Sequence, residues 1–223
     1  MSLDIEKGHG GAGSALTAAP FPTRIADPAP LGLFSFAATT FILSFYNVQI
    51  RGITEPNVVV GMALFTGGLA QLLAGMWEFP RGNVFGATAF TSYGAFWLSY
   101  AAILIPGSGI INAYVDPTTG KLNGEMLDNA LGIYLFTWFI FTFFFFLTSL
   151  RKSIAFISLF GCLSITFALL GAGNFTGKEN VLKAGGAFGI VTAFIAYYMA
   201  FSDLLAAERA PIIGLPMGGF KHD

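Results

Sequence analysis

Charge is what this sequence lacks most. Of its 223 residues only 10% are Asp, Glu, Lys or Arg, whereas a soluble domain carries about 25%. So few charges cannot clothe a water-facing surface, but a lipid-facing surface needs none. The net charge is −1, which excludes the basic balance of a nucleic-acid binder. Cysteine is almost absent as well. Cys162 stands alone, so no intramolecular disulfide forms, and no Cys/His set has metal-ligand spacing. The two histidines, His9 and His222, sit at the ends of the chain. No cofactor and no enzyme activity are expected, because acid–base catalysis needs positioned titratable groups. Residues 1–26 lack an apolar stretch behind a basic start, so they do not read as a secretory signal. A flexible cytoplasmic tail is expected there.

What is abundant is apolar length. Hydrophobic residues make up 55% of the chain, and mean hydropathy is +0.70. A hydrocarbon core of about 30 Å takes roughly 20 apolar residues as a helix. Six segments meet that length: 31–50, 58–77, 84–105, 131–150, 154–170 and 185–205. Backbone polar groups inside a bilayer must pair within their own segment, which favours helices. A β-barrel wall alternates in polarity, and Phe141-Thr142-Phe143-Phe144-Phe145-Phe146 does not. A seventh helix has no room, because Glu208, Arg209, Pro211 and Pro216 interrupt the remainder. The expected fold is an all-α integral membrane protein with six transmembrane helices. One domain would span residues 27–205, followed by a C-terminal tail over 206–223. With the N-terminus inside, the inner segments hold Lys7, Arg24, Arg81, Arg151, Lys152, Arg209 and Lys221. The outer loops hold Arg51, Lys121, Lys178 and Lys183. This bias places both termini in the cytoplasm.

The helix centres hold no charged residue, and Glu78 and Asp203 lie near helix ends. That pattern speaks against a proton relay or a voltage sensor, since charge in the bilayer marks such sites. Uncharged polar groups remain. Phe36, Thr40, Ser44 and Asn47 share one helix face. Gln71 lies well inside the second segment, where a primary amide must face another helix or water. Thr88, Ser92, Ser99 and Tyr93 occupy the third, and Ser164 and Thr166 the fifth. Such groups line a path between helices, or their hydroxyls bond back to the preceding turn. Gly82/Gly86, Gly185/Gly189 and Ala63/Gly67 have the spacing of close helix approach.

Three stretches carry a resemblance. They are Asp27-Pro28-Ala29-Pro30-Leu31-Gly32-Leu33, the run from Gly82-Asn83-Val84-Phe85-Gly86 through Ala87-Thr88-Ala89-Phe90-Thr91-Ser92-Tyr93 to Trp97, and Phe167-Ala168-Leu169-Leu170-Gly171-Ala172-Gly173-Asn174. In this order they resemble the signatures of the acetate uptake transporter family, over roughly residues 27–205. The family usually has Asn at the position of Asp27. The resemblance implies a six-helix protomer, a homohexamer and one substrate path per protomer. Its apolar constriction maps onto Phe36, Tyr93 and Leu163. Thr39, Thr40, Ser44, Gln71, Thr88 and Ser92 would be polar neighbours along the path, and Asp27, Pro28, Pro30 and Gly32 would form its entrance. The implied partners are acetate or a related small carboxylate such as succinate, and membrane lipids. The implied location is the plasma membrane. Channel-like conduction, proton-linked transport and a sensor that binds acetate or ammonium without flux all fit these residues.

Overall fold

A computed structural model describes residues 25–208 and 210–220. The expected tail over residues 1–26 lies almost wholly outside the described residues. Among the described residues six long helices make up the fold: α1 (Ala29–Asn47), α2 (Val59–Glu78), α3 (Val84–Leu104), α4 (Gly124–Ser149), α5 (Ile154–Thr176) and α6 (Glu179–Ala207). All but α3 are long and apolar enough to cross a membrane. The 21 residues of α3 span about 31 Å at 1.5 Å per residue. Its Thr, Ser, Tyr and Gly residues lower its hydropathy.

Three helices run further than their apolar stretches. Asn123 caps α4 by accepting the Met126 N–H at 3.1 Å, so the polar turn with Glu125 and Asp128 joins the helix. At the end of α5 the Asn174 amide donates to the Leu170 carbonyl and the Thr176 hydroxyl to that of Ala172. The helix stops at Gly177, whose φ of 62° suits glycine. An i,i+4 pair, Lys183 with Glu179, supports the first turn of α6.

Around the bundle α2 packs on α1, α1 on α6, α6 on α5 and α5 on α4. The remaining helix, α3, packs on α2 and meets α4 through stacked and edge-on rings, Phe96 with Tyr134 and with Trp138. Large apolar side chains such as Phe65, Trp77, Ile133, Phe144 and Phe194 point outward, as lipid contact requires. Glycines set the closest approaches. A Cβ on Gly185 would meet Leu170 at 2.8 Å, and one on Gly189 would overlap Ser44. The Gly185/Gly189 pair therefore joins α6 to α5 and α1. Gly67 is likewise pressed against Thr39 and Trp97. The pair Gly82/Gly86 does not act this way. Gly82 sits in a turn at φ +74° with open space beside it.

Two irregularities bear on the site. Residues Phe65–Ala70 of α2 form a π-helical turn immediately before Gln71, and such turns re-aim the side chains that follow. Residues 215–220 fold back onto the bundle. Ser202 and Tyr198 donate to the Leu215 and Pro216 carbonyls, the Ile154 N–H to Gly218 and the Phe220 N–H to Lys152.

Candidate functional site

Two cavities enter the bundle from opposite ends. The first, about 210 Å³, is lined by Leu33 and Phe36 of α1, Gln71 and Glu78 of α2, Phe90 and Tyr93 of α3, Leu163 of α5 and Asp203 of α6, among others. The second, about 440 Å³, is lined by Thr40, Ser44 and Asn47 of α1, Trp97 and Tyr100 of α3, Tyr134 of α4 and Leu163 and Asn174 of α5, among others. Phe36 and Leu163 belong to both linings. They form the septum between the cavities, and they are 5% and 3% exposed. Tyr93 joins them from α3, its ring centroid 5.7 Å from that of Phe36.

Local packing explains why Tyr93 is fixed. Its hydroxyl bonds to Thr142 of α4 at 2.9 Å, and Trp138, Phe141, Phe145 and Phe160 surround the ring. The hydroxyl is thus engaged on the α4 side, and the ring carries the contact with Phe36. A septum built from two rings and a leucine gives a dehydrated, apolar narrowing that favours small solutes.

Polar groups flank this narrowing on each side. Gln71 is fully buried, lines the first cavity, and neither atom of its amide has a protein partner. In the second cavity the Thr40 hydroxyl and the Trp97 indole N–H are buried and unpaired. Buried polar groups are nearly always hydrogen-bonded, so these three stand ready for a solute or its water. Ser44 also lines the second cavity.

Most of the other sequence-selected residues fall elsewhere. Thr39 is buried at the α1–α2 contact and donates to the Ser35 carbonyl. Thr88 is exposed and donates to the Val84 carbonyl at 2.8 Å. Ser92 is half-buried. None of the three lines either cavity. Ser164 and Thr166 bond back to Phe160 and Cys162, and Thr166 nonetheless lines the second cavity.

From the Asp27–Leu33 stretch, Ala29 and Leu33 line the first cavity, and Asp27 lies just outside it. The Asp27 carboxylate accepts the Ala29 N–H at 2.9 Å. Pro30 is buried in the first turn, where a missing N–H costs nothing. Pro28 precedes that turn as its capping position. Gly32 is pressed against the Phe90 ring, 2.8 Å from where its Cβ would lie. Asp27 also receives both arms of Arg81, Nη1 to Oδ1 and Nη2 to Oδ2, the latter at 3.0 Å. Its carboxylate holds the guanidinium above its ordinary pKa.

Glu78 is the residue that sequence reasoning undervalued. It stands at the end of α2, yet it is fully buried and lines the first cavity. Arg81 reaches Oε2 at 3.3 Å, and Oε1 has no partner. Lys152 and Asp203 complete the charged lining. The Lys152 ammonium lies 4.2 Å from the centroid of the Phe85 ring, a cation–π distance. The signal for Glu78 is its place one turn before a Gly-Asn helix start, where the chain folds inward.

Comparison with known proteins bears on this arrangement. Residues 10–217 match the GPR1/FUN34/yaaH family. The chain belongs to that family. Within the GPR1/FUN34/yaaH family it is 48% identical over 206 residues to "Ammonia transport outward protein 2" of Saccharomyces cerevisiae, covering 92% of this chain and 71% of the relative. It is 44% identical over 203 residues to "Acetate permease A" of Emericella nidulans, covering 88% and 67%. It is 36% identical over 197 residues to "Succinate-acetate/proton symporter SatP" of Escherichia coli K12, covering 88% and 97%. The solved structure of the bacterial acetate channel SatP superposes with a TM-score of 0.73 at 36% identity, covering 86% of this chain and 99% of that one. The six-helix membrane fold and the family read from the three motifs both hold.

Proposed function

We propose that this protein carries acetate, and short carboxylates such as succinate, across a membrane through the two cavities and the septum between them. The observation that carries the reading is the shared lining: Phe36 and Leu163 close both cavities from opposite sides. The relatives named for acetate and succinate transport, and the superposition on an acetate channel, support the substrate class.

The chemistry fits a solute with one apolar and one charged end. The septum takes the methyl group and strips water from the carboxylate. Gln71 on one side, and Thr40 and Trp97 on the other, donate hydrogen bonds that replace part of the lost hydration. Neither side holds the anion with a buried ion pair at the septum, so release stays fast, as conduction requires. A proton-linked cycle is compatible with Glu78, whose carboxyl faces the first cavity. In this reading the protein sits in the plasma membrane as a homohexamer, each protomer with its own path. Both termini, and the mouth of the first cavity, face the cytoplasm.

The test is uptake of labelled acetate into liposomes holding the purified protein. Saturable uptake above that of empty liposomes is expected. A folded protein that binds acetate and moves none would establish a sensor instead. Gln71→Leu keeps the volume and removes the amide. A buried hydrogen bond to a charged group is worth about 1.5–3 kcal/mol, so acetate uptake should fall roughly ten- to a hundredfold. Thermal stability should hold or rise, because the wild-type amide is unpaired. Unchanged uptake by Gln71→Leu would remove Gln71 from the path.

A further inference from the structure

We propose that the Asp27–Arg81 pair sets the electrostatic potential at the mouth of the first cavity, and through it the apparent affinity for an anionic substrate. The inference rests on the transport reading above. Neither residue lines the cavity, but both adjoin its charged wall.

The geometry locks the guanidinium. Nη1 donates to Asp27 Oδ1 and to Glu78 Oε2, and Nη2 donates to Asp27 Oδ2. A forked arginine–carboxylate pair is strong and directional. Arg81 therefore spends its donors on protein carboxylates and does not turn toward an arriving anion. The two residues are 54 positions apart in sequence. Asp27 precedes α1, and Arg81 stands in the turn between α2 and α3.

Among the described residues, the charged groups around the mouth are of both signs. Lys152 and Arg81 are cations, whereas Asp27, Glu78 and Asp203 are carboxylates. An arriving anion must pass them, repelled by Asp27 and attracted by Arg81. The side chains of Arg81 and Asp27 are 30% and 39% exposed, so their charges act on solute arriving from water. Clefts lined by one sign of charge shift local ion concentration. Removing Asp27's charge takes a repulsion from the anion's approach, and removing Arg81's charge takes an attraction. Removing both restores the wild-type sum. The two halves of one ion pair thus have opposite effects on anion affinity. A clasp that merely held α1 against the α2–α3 turn would do the reverse, because losing either half would impair the protein in the same direction.

The experiment measures KM and maximal rate for labelled acetate in liposomes with Asp27→Asn, Arg81→Gln and the double variant, at low and high ionic strength. At low ionic strength, Asp27→Asn should lower KM about three- to fivefold, and Arg81→Gln should raise it by a similar factor. The double variant should return close to wild type. Maximal rates should change little, and all shifts should shrink at high salt, because the screening length falls from about 30 Å at 0.01 M to about 3 Å at 1 M. Acetate binding to the solubilised protein, read by intrinsic fluorescence, should give the same order of affinities whether or not the protein shows flux. That arm separates failure of this proposal from failure of the transport reading. KM shifts in the same direction for both single variants, or salt-independent shifts, would overturn the proposal.

Discussion

Replacing Phe36 by Ala should merge the two cavities and abolish discrimination by size. Phe36 lines both cavities and meets Tyr93 ring to ring at 5.7 Å. Without its ring the septum keeps only Leu163 and one face of Tyr93. In an apolar pocket a single methylene is worth roughly 10–200-fold in discrimination. Losing a whole ring should raise the succinate-to-acetate uptake ratio by about tenfold or more. Burial of Phe typically contributes about 3–5 kcal/mol over Ala. The cost here should fall at the low end, because cavities already flank the ring and fewer neighbours lose contact. The variant should fold, melt lower, and pass larger carboxylates. Competition by a series of carboxylates of increasing length against labelled acetate measures the change. An unaltered order of competition would show that discrimination resides elsewhere.

The second large effect concerns folding. Gly94 of α3 lies against the backbone of Leu72 in α2, and an added Cβ would meet its N at 2.7 Å and its Cα at 2.8 Å. Gly75 faces Thr91 in the same way, from α2 toward α3. These obstacles are backbone atoms, which do not turn aside as a flexible side chain does. Gly94→Val must therefore push two helices apart. Overpacking a core costs about 1–3 kcal/mol and occasionally more, and a direct backbone-to-backbone contact belongs at the upper end. Gln71 and Tyr93 ride on the helices that would separate, so the site is lost with the packing. Gly94→Val should yield no folded protein after solubilisation, while Gly94→Ala should give a protein with sharply lowered melting temperature. Size-exclusion profiles and melting curves check this. A normally folded Gly94→Val protein would mean that α2 and α3 do not approach each other at this contact.

How legible all this was in the sequence depends on the physical signal. The six spans follow from apolar length, which a bilayer makes decisive. Their ends were less legible. Glu125, Asp128 and Glu179 fall outside an apolar count, yet capping and local pairing keep them helical. On α3 the polar residues misled. Thr88 and Tyr93 are five residues apart, about 140° around a helix. If Tyr93 points inward, Thr88 points outward, and its hydroxyl finds the Val84 carbonyl instead. Gln71 was legible because an amide inside an apolar run must face water or another helix. Phe36 and Leu163 were not legible from composition, since one Phe among 25 carries no mark of its place. Only the neighbouring motifs singled them out. Nothing in the sequence sets Trp97 apart from the motif it closes, and only the fold leaves its N–H unpaired beside the second cavity. The sequence marks Glu78 only as lying near a helix end, because sequence alone does not tell which way the last turn of a helix faces.

The path through the septum is tested most directly by plugging it. Leu163→Trp places an indole where the two cavities meet, against a wall of Phe36 and Tyr93. Labelled acetate uptake into liposomes would be measured for wild type and Leu163→Trp, with matched amounts of folded protein. Wild type should show saturable uptake, and the plugged variant should fall to the level of empty liposomes while melting within a few degrees of wild type. Undiminished uptake by Leu163→Trp, or none by the wild type, would contradict a path between the two cavities.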